Sequence, residues 1–254
     1  MQTTTQSEVD ETRFTKFARA RLDGLLRSRS VLTAVQPMVD LETTDLAGHE
    51  LLARPLNIAS SPTVRKLLQV AESQGLAAEL SRRLRREGLE KTAGRIVPGR
   101  IFLNTHPTEL IHRRRFLQSL RQLAECYRDL EMVVEIPEHA ALTLEEYVEL
   151  RDQLHALGVA VAFDEFGTGR SRLLELATAP PDYIKFACCM IRGIDERVRA
   201  RETVLYRVID FIHSIGSLPI AVGVENAAEL EACRDLGFSW AQGFHVGRPW
   251  TVAA

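Results

Sequence analysis

Short apolar runs alternate with longer amphipathic stretches along most of the chain, and this alternation limits the fold more than any other feature. Eight runs have the length and composition of strands, and they lie at 31–39, 46–53, 100–104, 131–136, 159–163, 182–186, 218–224 and 238–242. Strands that alternate with helices need crossover connections and therefore a mainly parallel sheet. Eight such strands within 254 residues favour a closed (β/α)8 barrel over an open, doubly wound sheet.

The stretches between the runs carry apolar residues at helical spacing. They predict helices at 63–93 (in one or two pieces), 107–127, 143–157, 171–177, 196–214 and 227–236. An earlier helix is expected from Phe14 to Leu25, after a polar and flexible leader at 1–10. No linker rich in proline, serine or glycine divides the rest, so residues 11–254 are expected to form a single domain.

Composition and charge exclude several classes of protein. With 45% hydrophobic and 26% charged residues, the chain has the composition of a globular protein with a substantial core. Its net charge of −2 argues against a nucleic acid polymer as partner. Because no apolar segment is long enough for a membrane span or a signal peptide, we expect no membrane association and a cytoplasmic location. The four cysteines form no C-x-x-C pair, which favours reduced thiols over a zinc site.

Polar side chains follow the apolar runs at the carboxyl end of seven of them. They are Glu50, Asn104, Glu135, Asp164 with Glu165, Lys185, Glu225 and Gln242. Any one of them could simply be a surface residue that closes a strand. In a (β/α) barrel, however, these strand ends converge on one mouth, so the set predicts a single functional cavity.

The oxygen-rich chemistry of this set favours a hard divalent cation, Mg²⁺ or Mn²⁺. The adjacent acids Asp164 and Glu165 would let one carboxylate bridge two ions while its neighbour binds the second. Two ions held in this way suit the displacement of a phosphodiester oxygen. The residues alone therefore predict a metal-dependent phosphodiester site.

The chain resembles the EAL domain family, which comprises cyclic-di-GMP phosphodiesterases and their non-catalytic relatives. The resemblance covers about Arg13 to Pro249. It rests on the motifs QPMVD, GHELLAR, FLN, EIPE, FDEFGTG, DYIK, GVEN and QGFHVGRP, which occur in the family's order. It implies a TIM-like barrel in which one strand near the N-terminus runs antiparallel to the rest.

The resemblance also implies roles for individual residues. Matching positions make Glu50, Asn104, Glu135 and Asp164 ligands of a first metal and Glu165 a ligand of a second, with Glu165, Lys185 and Gln242 in the catalytic centre. Nucleotide contacts are implied for Gln36, Glu50, Leu52, Arg54, Asn104, Asp164, Lys185, Glu225, Gln242 and Pro249. Glu138 matches the acid that supports the loop after Asp164-Glu165.

Departures from the family pattern bear on the mechanism. Val222 stands where the family has the glutamate that serves as general base and second-metal ligand, and valine can neither accept a proton nor bind an ion. Glu165 replaces an aspartate, and Phe186-Ala187 replaces an apolar residue followed by aspartate. The loop GTGRSR lacks the family's aromatic residue and paired serines, which puts the coupling of dimerisation to activity in doubt.

Three functions remain open from the sequence. The leading interpretation is a receptor that binds cyclic-di-GMP, with one Mg²⁺ or Mn²⁺ ion, without efficient hydrolysis. The first alternative is an active phosphodiesterase that produces linear pGpG, and the second is a degenerate interaction module that has lost the nucleotide. The expected partners are the nucleotide, a second copy of the chain through the loop after Asp164-Glu165, and an effector protein.

Overall fold

A computed structural model describes residues 22, 32–54, 64–95, 99–169, 173–196 and 198–252. The expected leader at 1–10 lies outside the described residues. So does the expected first helix, except for Leu22, which is helical and buried against α1 and α2 (bounds below).

The described chain begins with an antiparallel hairpin of β1 (Leu32–Asp40) and β2 (Leu46–Arg54). After it, helices and strands alternate as the apolar runs predict. The elements are α1 (Val64–Ser73), α2 (Ala77–Thr92), β3 (Arg100–Asn104), α3 (Pro107–Ile111), α4 (Arg113–Cys126), β4 (Glu131–Pro137), α5 (Leu144–His155), β5 (Ala160–Phe166), α6 (Leu173–Thr178), β6 (Tyr183–Phe186), α7 (Cys188–Ile191), a 3-10 turn (Ile194–Glu196), α8 (Arg199–Ser214), β7 (Leu218–Val222), α9 (Ala227–Asp235), β8 (Trp240–Gln242) and β9 (Trp250–Thr251).

Eight strands close into a barrel in the order β1-β2-β3-β4-β5-β6-β7-β8, and β8 pairs back onto β1. The strands from β2 to β8 are parallel to one another, whereas β1 is antiparallel to both of its neighbours. The predicted (β/α)8 barrel with one antiparallel strand near the N-terminus is therefore confirmed. None of the helices in the described part of the chain is long and apolar enough to cross a bilayer.

Alternation along each strand separates two apolar cores. Inward-facing residues, such as Phe102, Tyr183 and Trp240, form an aromatic cluster inside the barrel. Outward-facing residues, such as Leu103 and Ile184, pack against the surrounding helices in a larger cluster. Because successive side chains of a strand point to opposite faces, the same alternation decides which polar residues reach the barrel mouth.

The structure differs from the sequence expectations at several boundaries. The helix expected at 107–127 is two helices, because the backbone of His112 leaves the helical region at φ −113° and ψ 54°. The strand expected at 218–224 ends at Val222, where Gly223 turns with φ 89° and donates its N–H to the Gln242 carbonyl. The short elements α7 and β9 were not expected, since neither has enough residues to show periodicity.

Candidate functional site

Each of the eight barrel strands directs one side chain inward at the mouth, one layer above the apolar interior. We call these eight residues the mouth layer: Gln36, Glu50, Asn104, Glu135, Asp164, Lys185, Val222 and Gln242. All except Glu50 lie two positions along their strand from an inward residue of the layer below, as Lys185 does from Tyr183 and Val222 from Ile220. All eight positions are described, and seven of them are polar. Val222 is the apolar exception.

Lys185 lies at the centre of the mouth layer. Its Nζ donates a 3.0 Å hydrogen bond to Glu50 Oε2 and a second hydrogen bond to Glu135 Oε1, and it lies 3.6 Å from Asp164 Oδ1. The lysine is only 2% exposed and Glu135 only 1%. Burial of a charge is costly unless it is paired, and here one ammonium group is paired with carboxylates from three other strands.

Glu50 connects this charged centre to the amide side chains of the layer. Its Oε1 accepts a 2.9 Å hydrogen bond from Asn104 Nδ2, and its Oε2 accepts one of 2.8 Å from Gln242 Nε2. Gln36 lies beside Gln242, with 3.5 Å between the Gln242 Nε2 and Gln36 Oε1 atoms. Residues separated by up to 206 positions thus form one continuous polar network.

The ionisation of these groups is strongly coupled. Burial raises the pKa of Glu135 well above its usual value, and the negative charges of Glu50 and Asp164 add to this, whereas Lys185 offsets part of the rise. For Glu50, burial alone would raise the pKa, but the charge of Lys185 and the hydrogen bonds from Asn104 and Gln242 lower it. For Lys185, burial is outweighed by Asp164, Glu135 and Glu50, which raise its pKa well above the usual value. A single ammonium group leaves the cluster with excess negative charge.

The donor atoms of the mouth layer fit a hard divalent cation. Glu135 Oε2 and Gln242 Oε1 are buried and accept no hydrogen bond from the described residues. Unpaired buried oxygens beside excess negative charge are the donors that Mg²⁺ or Mn²⁺ prefers. As the side chains stand, no three acidic, histidine or cysteine residues of the described chain converge on one ion position, because the Lys185 ammonium lies between the carboxylates. An ion would share the site with Lys185.

A β-bulge separates the two adjacent acids of β5. Phe163 pairs with Ile184 and Phe166 pairs with Phe186, so two residues of β5 oppose Lys185 alone. Asp164 stays in the inward position, whereas Glu165 takes a left-handed conformation with φ 59°. The structure therefore does not bring Glu165 into the group around Lys185. Its carboxylate is half exposed and lies 3.8 Å from His139 Nδ1.

Glu138 holds the loop that follows this bulge. Its Oε2 accepts hydrogen bonds of 3.2 Å from the Gly167 N–H and 3.1 Å from the Gly169 N–H, and its own N–H donates to the Asp164 carbonyl. Glu138 is thus bonded to the backbone of this loop, and its supporting role in function stays a prediction. The next part of the loop, residues 170–172, lies outside the described residues, and with it most of the expected dimer contact.

The other predicted nucleotide contacts lie around the mouth layer. Leu52 is half buried and borders a cavity of about 250 Å³ that also reaches Asn104. Glu225 is exposed, with its carboxylate 3.4 Å from the Arg192 guanidinium, and Pro249 is half buried just before β9. The Arg54 side chain lies outside the described part of the chain, although its backbone ends β2.

Sequence reasoning missed a buried ion pair behind Asn104. The Arg85 guanidinium donates hydrogen bonds of 3.2 and 2.8 Å to the two carboxylate oxygens of Glu109, and one of 3.0 Å to the Asn104 carbonyl. Arg85 is 3% exposed and Glu109 is fully buried. Within the run Arg82-Arg83-Leu84-Arg85-Arg86, nothing in the sequence distinguishes Arg85 from its less buried neighbours.

A closed (β/α) barrel with an acidic, amide-lined mouth belongs to the class of barrel proteins whose functional sites lie at the carboxyl ends of the strands. The particular family is clear from comparison with known proteins. The EAL domain family model matches residues 19–249, so the chain belongs to the EAL domain family.

Curated relatives are longer proteins. The chain is 31% identical to an uncharacterised protein of Azorhizobium caulinodans, over 89% of this chain and 32% of the relative. It is 27% identical to the probable cyclic di-GMP phosphodiesterase PdeN of Escherichia coli, over 88% of this chain and 44% of the relative. The chain thus spans less than half the length of either protein.

Solved structures with the same fold include two with bound nucleotide. The PaMucR phosphodiesterase in complex with c-di-GMP has a TM-score of 0.77 and 24% identity, covering 87% of this chain and 97% of that chain. The FimX EAL domain of Pseudomonas aeruginosa bound to c-di-GMP has a TM-score of 0.79 and 21% identity, covering 93% of this chain and 97% of that chain. At these identities the likeness establishes the fold.

Proposed function

We propose that this chain binds cyclic-di-GMP at the mouth layer and does not hydrolyse it efficiently. The proposal rests mainly on Val222, the apolar member of an otherwise polar layer, in register with Gln242. A side chain at this position points into the barrel, as Lys185 does, and valine offers neither a base nor an ion ligand there. Loss of a positioned general base costs roughly 10²- to 10⁴-fold in rate.

The retained residues support binding. Glu50, Asn104, Glu135 and Asp164 surround Lys185 and would hold one Mg²⁺ or Mn²⁺ ion. Such an ion, when bound, supplies positive charge for a phosphate group and lowers the pKa of bound water. Lys185 adds a fixed cation that offsets phosphate charge, and Gln242 and Asn104 offer amide groups for hydrogen bonds. The PaMucR and FimX EAL structures, which share the fold and are bound to c-di-GMP, support this nucleotide as the ligand.

Slow hydrolysis is the second candidate, because every polar member of the mouth layer is in place. The outward position of Glu165 argues against it, since the bulge directs this carboxylate to His139 and away from Lys185. The degenerate interaction module is the third candidate and is favoured only if nucleotide binding is absent. A cytoplasmic location and a dimer through the loop after Glu165 remain predictions from the sequence.

Calorimetric titration with cyclic-di-GMP, in Ca²⁺ and in Mg²⁺, tests binding. Chromatography of the nucleotide after the titration tests whether it has been hydrolysed. We expect saturable binding in both ions and recovery of intact nucleotide. The Arg54→Ala variant should weaken binding by roughly 1.5–3 kcal/mol, because a charged, bidentate hydrogen-bond donor is lost. No binding by the wild type at near-millimolar nucleotide would favour the interaction module, and pGpG in the Mg²⁺ sample would favour the enzyme.

A further inference from the structure

Two arginine runs that are distant in the sequence lie on neighbouring helices. Residues 82–86 belong to α2 and residues 113–115 to α4, and Arg82, Arg86 and Arg115 line one groove of about 730 Å³ between these helices. Some arginines of these runs have local partners. Arg83 pairs with Glu87 at 2.5 Å, and Arg113 pairs with Glu146 at 2.7 Å.

Other arginines on α4 have no such partner. Arg114, Arg115 and Arg121 are exposed, and none of them forms an ion pair with any residue that the structure describes. Arg114 and Arg115 line a groove together with Ile111, which is 74% exposed at the end of α3, and the half-buried Leu117. Arg121 lines the neighbouring groove beside Leu117. We call these five residues the α4 ridge. An exposed large apolar side chain among unpaired guanidinium groups has the composition of a protein interface.

A second groove lies beside the α4 ridge, on the side that faces α5. A groove of about 460 Å³ there is lined by Arg114, Leu117 and Arg121 together with glutamine and apolar residues, and its described lining contains no acidic side chain. The adjoining groove, lined by Ile111, Leu117 and Arg113 to Arg115, contains one acidic side chain, Glu149, so the arginines outnumber the acids on this side of the ridge. Grooves on both sides of a helix can receive side chains of a partner.

We propose that the α4 ridge is a docking surface for an acidic protein partner with an apolar residue at its centre. Guanidinium groups bind carboxylates through paired hydrogen bonds, while Ile111 and Leu117 gain from apolar cover. The chain as a whole carries a net charge of −2, so the unpaired arginines make this surface more positive than the chain as a whole and attract a negatively charged partner. A nucleic acid fits the ridge less well, because its centre is aliphatic and the ridge contains no aromatic side chain for base stacking.

The α4 ridge is connected to the mouth layer by the buried Arg85–Glu109 pair. Glu109 lies in α3, two residues before Ile111, and Arg85 also donates to the Asn104 carbonyl. The Arg85 guanidinium further lies 5.4 Å from the ring centre of Phe116 in α4. A partner on the ridge therefore contacts helices that are bonded to a strand end of the nucleotide site. We call this coupling between nucleotide binding at the mouth layer and partner binding at the α4 ridge the reporting role. It rests on the proposed function, whereas docking of the partner does not.

Fluorescence anisotropy with a short synthetic peptide that alternates glutamate pairs with leucine tests the docking surface. The full chain should bind the labelled peptide saturably at low salt. The double variant Ile111→Ser/Arg115→Gln should weaken binding by at least about tenfold, because both an apolar anchor and a guanidinium are lost. The matched control is Val204→Ser/Arg207→Gln on α8, where Val204 is 61% exposed and Arg207 is exposed, and it should bind as the wild type does.

Absence of saturable binding by the wild type, or an equal loss in the control variant, overturns the proposal. Binding of a single-stranded oligonucleotide that is tighter than the peptide and insensitive to Ile111→Ser also overturns it in favour of nucleic acid. Repeating the peptide titration with saturating cyclic-di-GMP and Mg²⁺ tests the reporting role, for which we expect at least a threefold change in the peptide Kd. An unchanged peptide Kd would refute the reporting role but not the docking surface. Calorimetric titration with cyclic-di-GMP tests the proposed function separately.

Discussion

Val222 pairs in register with Gln242 where the parallel strands β7 and β8 reach the barrel mouth. The valine packs on the apolar cluster inside the barrel, while the Gln242 amide donates to Glu50. A carboxylate at position 222 would therefore point into the barrel, as Lys185 does, and away from the outer core. This geometry makes Val222 the residue at which binding and hydrolysis can be separated.

Replacement of Val222 by glutamate should restore hydrolysis. We expect little or no pGpG from the wild type and at least about tenfold more from Val222→Glu/Glu165→Asp, a modest part of what a positioned base contributes. The measurement is chromatography of cyclic-di-GMP after incubation with Mn²⁺. Melting curves with and without Mn²⁺ must accompany it, because a carboxylate in place of a packed valine destabilises the fold unless an ion or hydrogen bonds receive it.

The control for this experiment is Val222→Gln/Glu165→Asp, which has nearly the same shape and no base at position 222. It should remain as inactive as the wild type. The interpretation of Val222 is falsified if the glutamine variant matches the glutamate variant, or if the wild type hydrolyses the nucleotide as fast as either.

Lys185→Met should make the stability of the protein dependent on divalent metal. The substitution leaves the carboxylates of Glu50, Glu135 and Asp164 without their buried cation, and loss of one partner of a buried ion pair costs about 3–5 kcal/mol. A divalent ion should recover part of this, about 2.7 kcal/mol at a hundredfold excess over its Kd. Urea denaturation with and without MgCl₂ measures both effects.

The comparison for Lys185→Met is Lys91→Met in α2, which lies outside the mouth layer and should respond to MgCl₂ as the wild type does. If Mg²⁺ stabilises Lys185→Met no more than it stabilises the wild type, the mouth layer is not a cation site.

The buried Arg85–Glu109 pair should be far more sensitive to substitution than a surface pair. Glu109→Gln leaves the Arg85 charge buried without its carboxylate and should reduce the free energy of unfolding by about 3 kcal/mol. Removal of both charges in Arg85→Met/Glu109→Leu should recover most of that loss. Glu131→Gln, which removes the more exposed contact with Arg100 at 3.2 Å, should cost less than about 1 kcal/mol. Equal losses in Glu109→Gln and Glu131→Gln would contradict the burial argument.

The four cysteines should fall into two classes of reactivity. Burial, with a smaller contribution from the charge of Glu229, raises the pKa of Cys233 to about 12, so almost no thiolate forms there at neutral pH. Cys126, Cys188 and Cys189 are exposed. A thiol reagent at about pH 8 should titrate three thiols in the folded protein and all four in urea. Rapid reaction of all four in the native state would show that Cys233 is accessible.

The sequence alone determines the order of strands and helices and the polar character of the barrel mouth. Both are local properties: a strand places alternate residues on opposite faces, and a polar residue at the carboxyl end of an apolar run, such as Asn104, is directed to the mouth once the barrel closes. Boundaries were less accurate at His112 and Gly223, where single backbone conformations end an element that apolar periodicity would continue.

Only the tertiary structure decided how the polar residues combine. Lys185 meets Glu50 and Glu135 across separations of 135 and 50 residues, which no local pattern encodes. The bulge in β5 directs Asp164 inward and Glu165 towards His139, although the two acids are adjacent in the sequence. Arg85 is more deeply buried than the other arginines of its run because Glu109 and the Asn104 carbonyl meet it there. For Lys185 and Arg85 the physical reason is the same: a buried charge is tolerated only where partners from distant segments are packed against it.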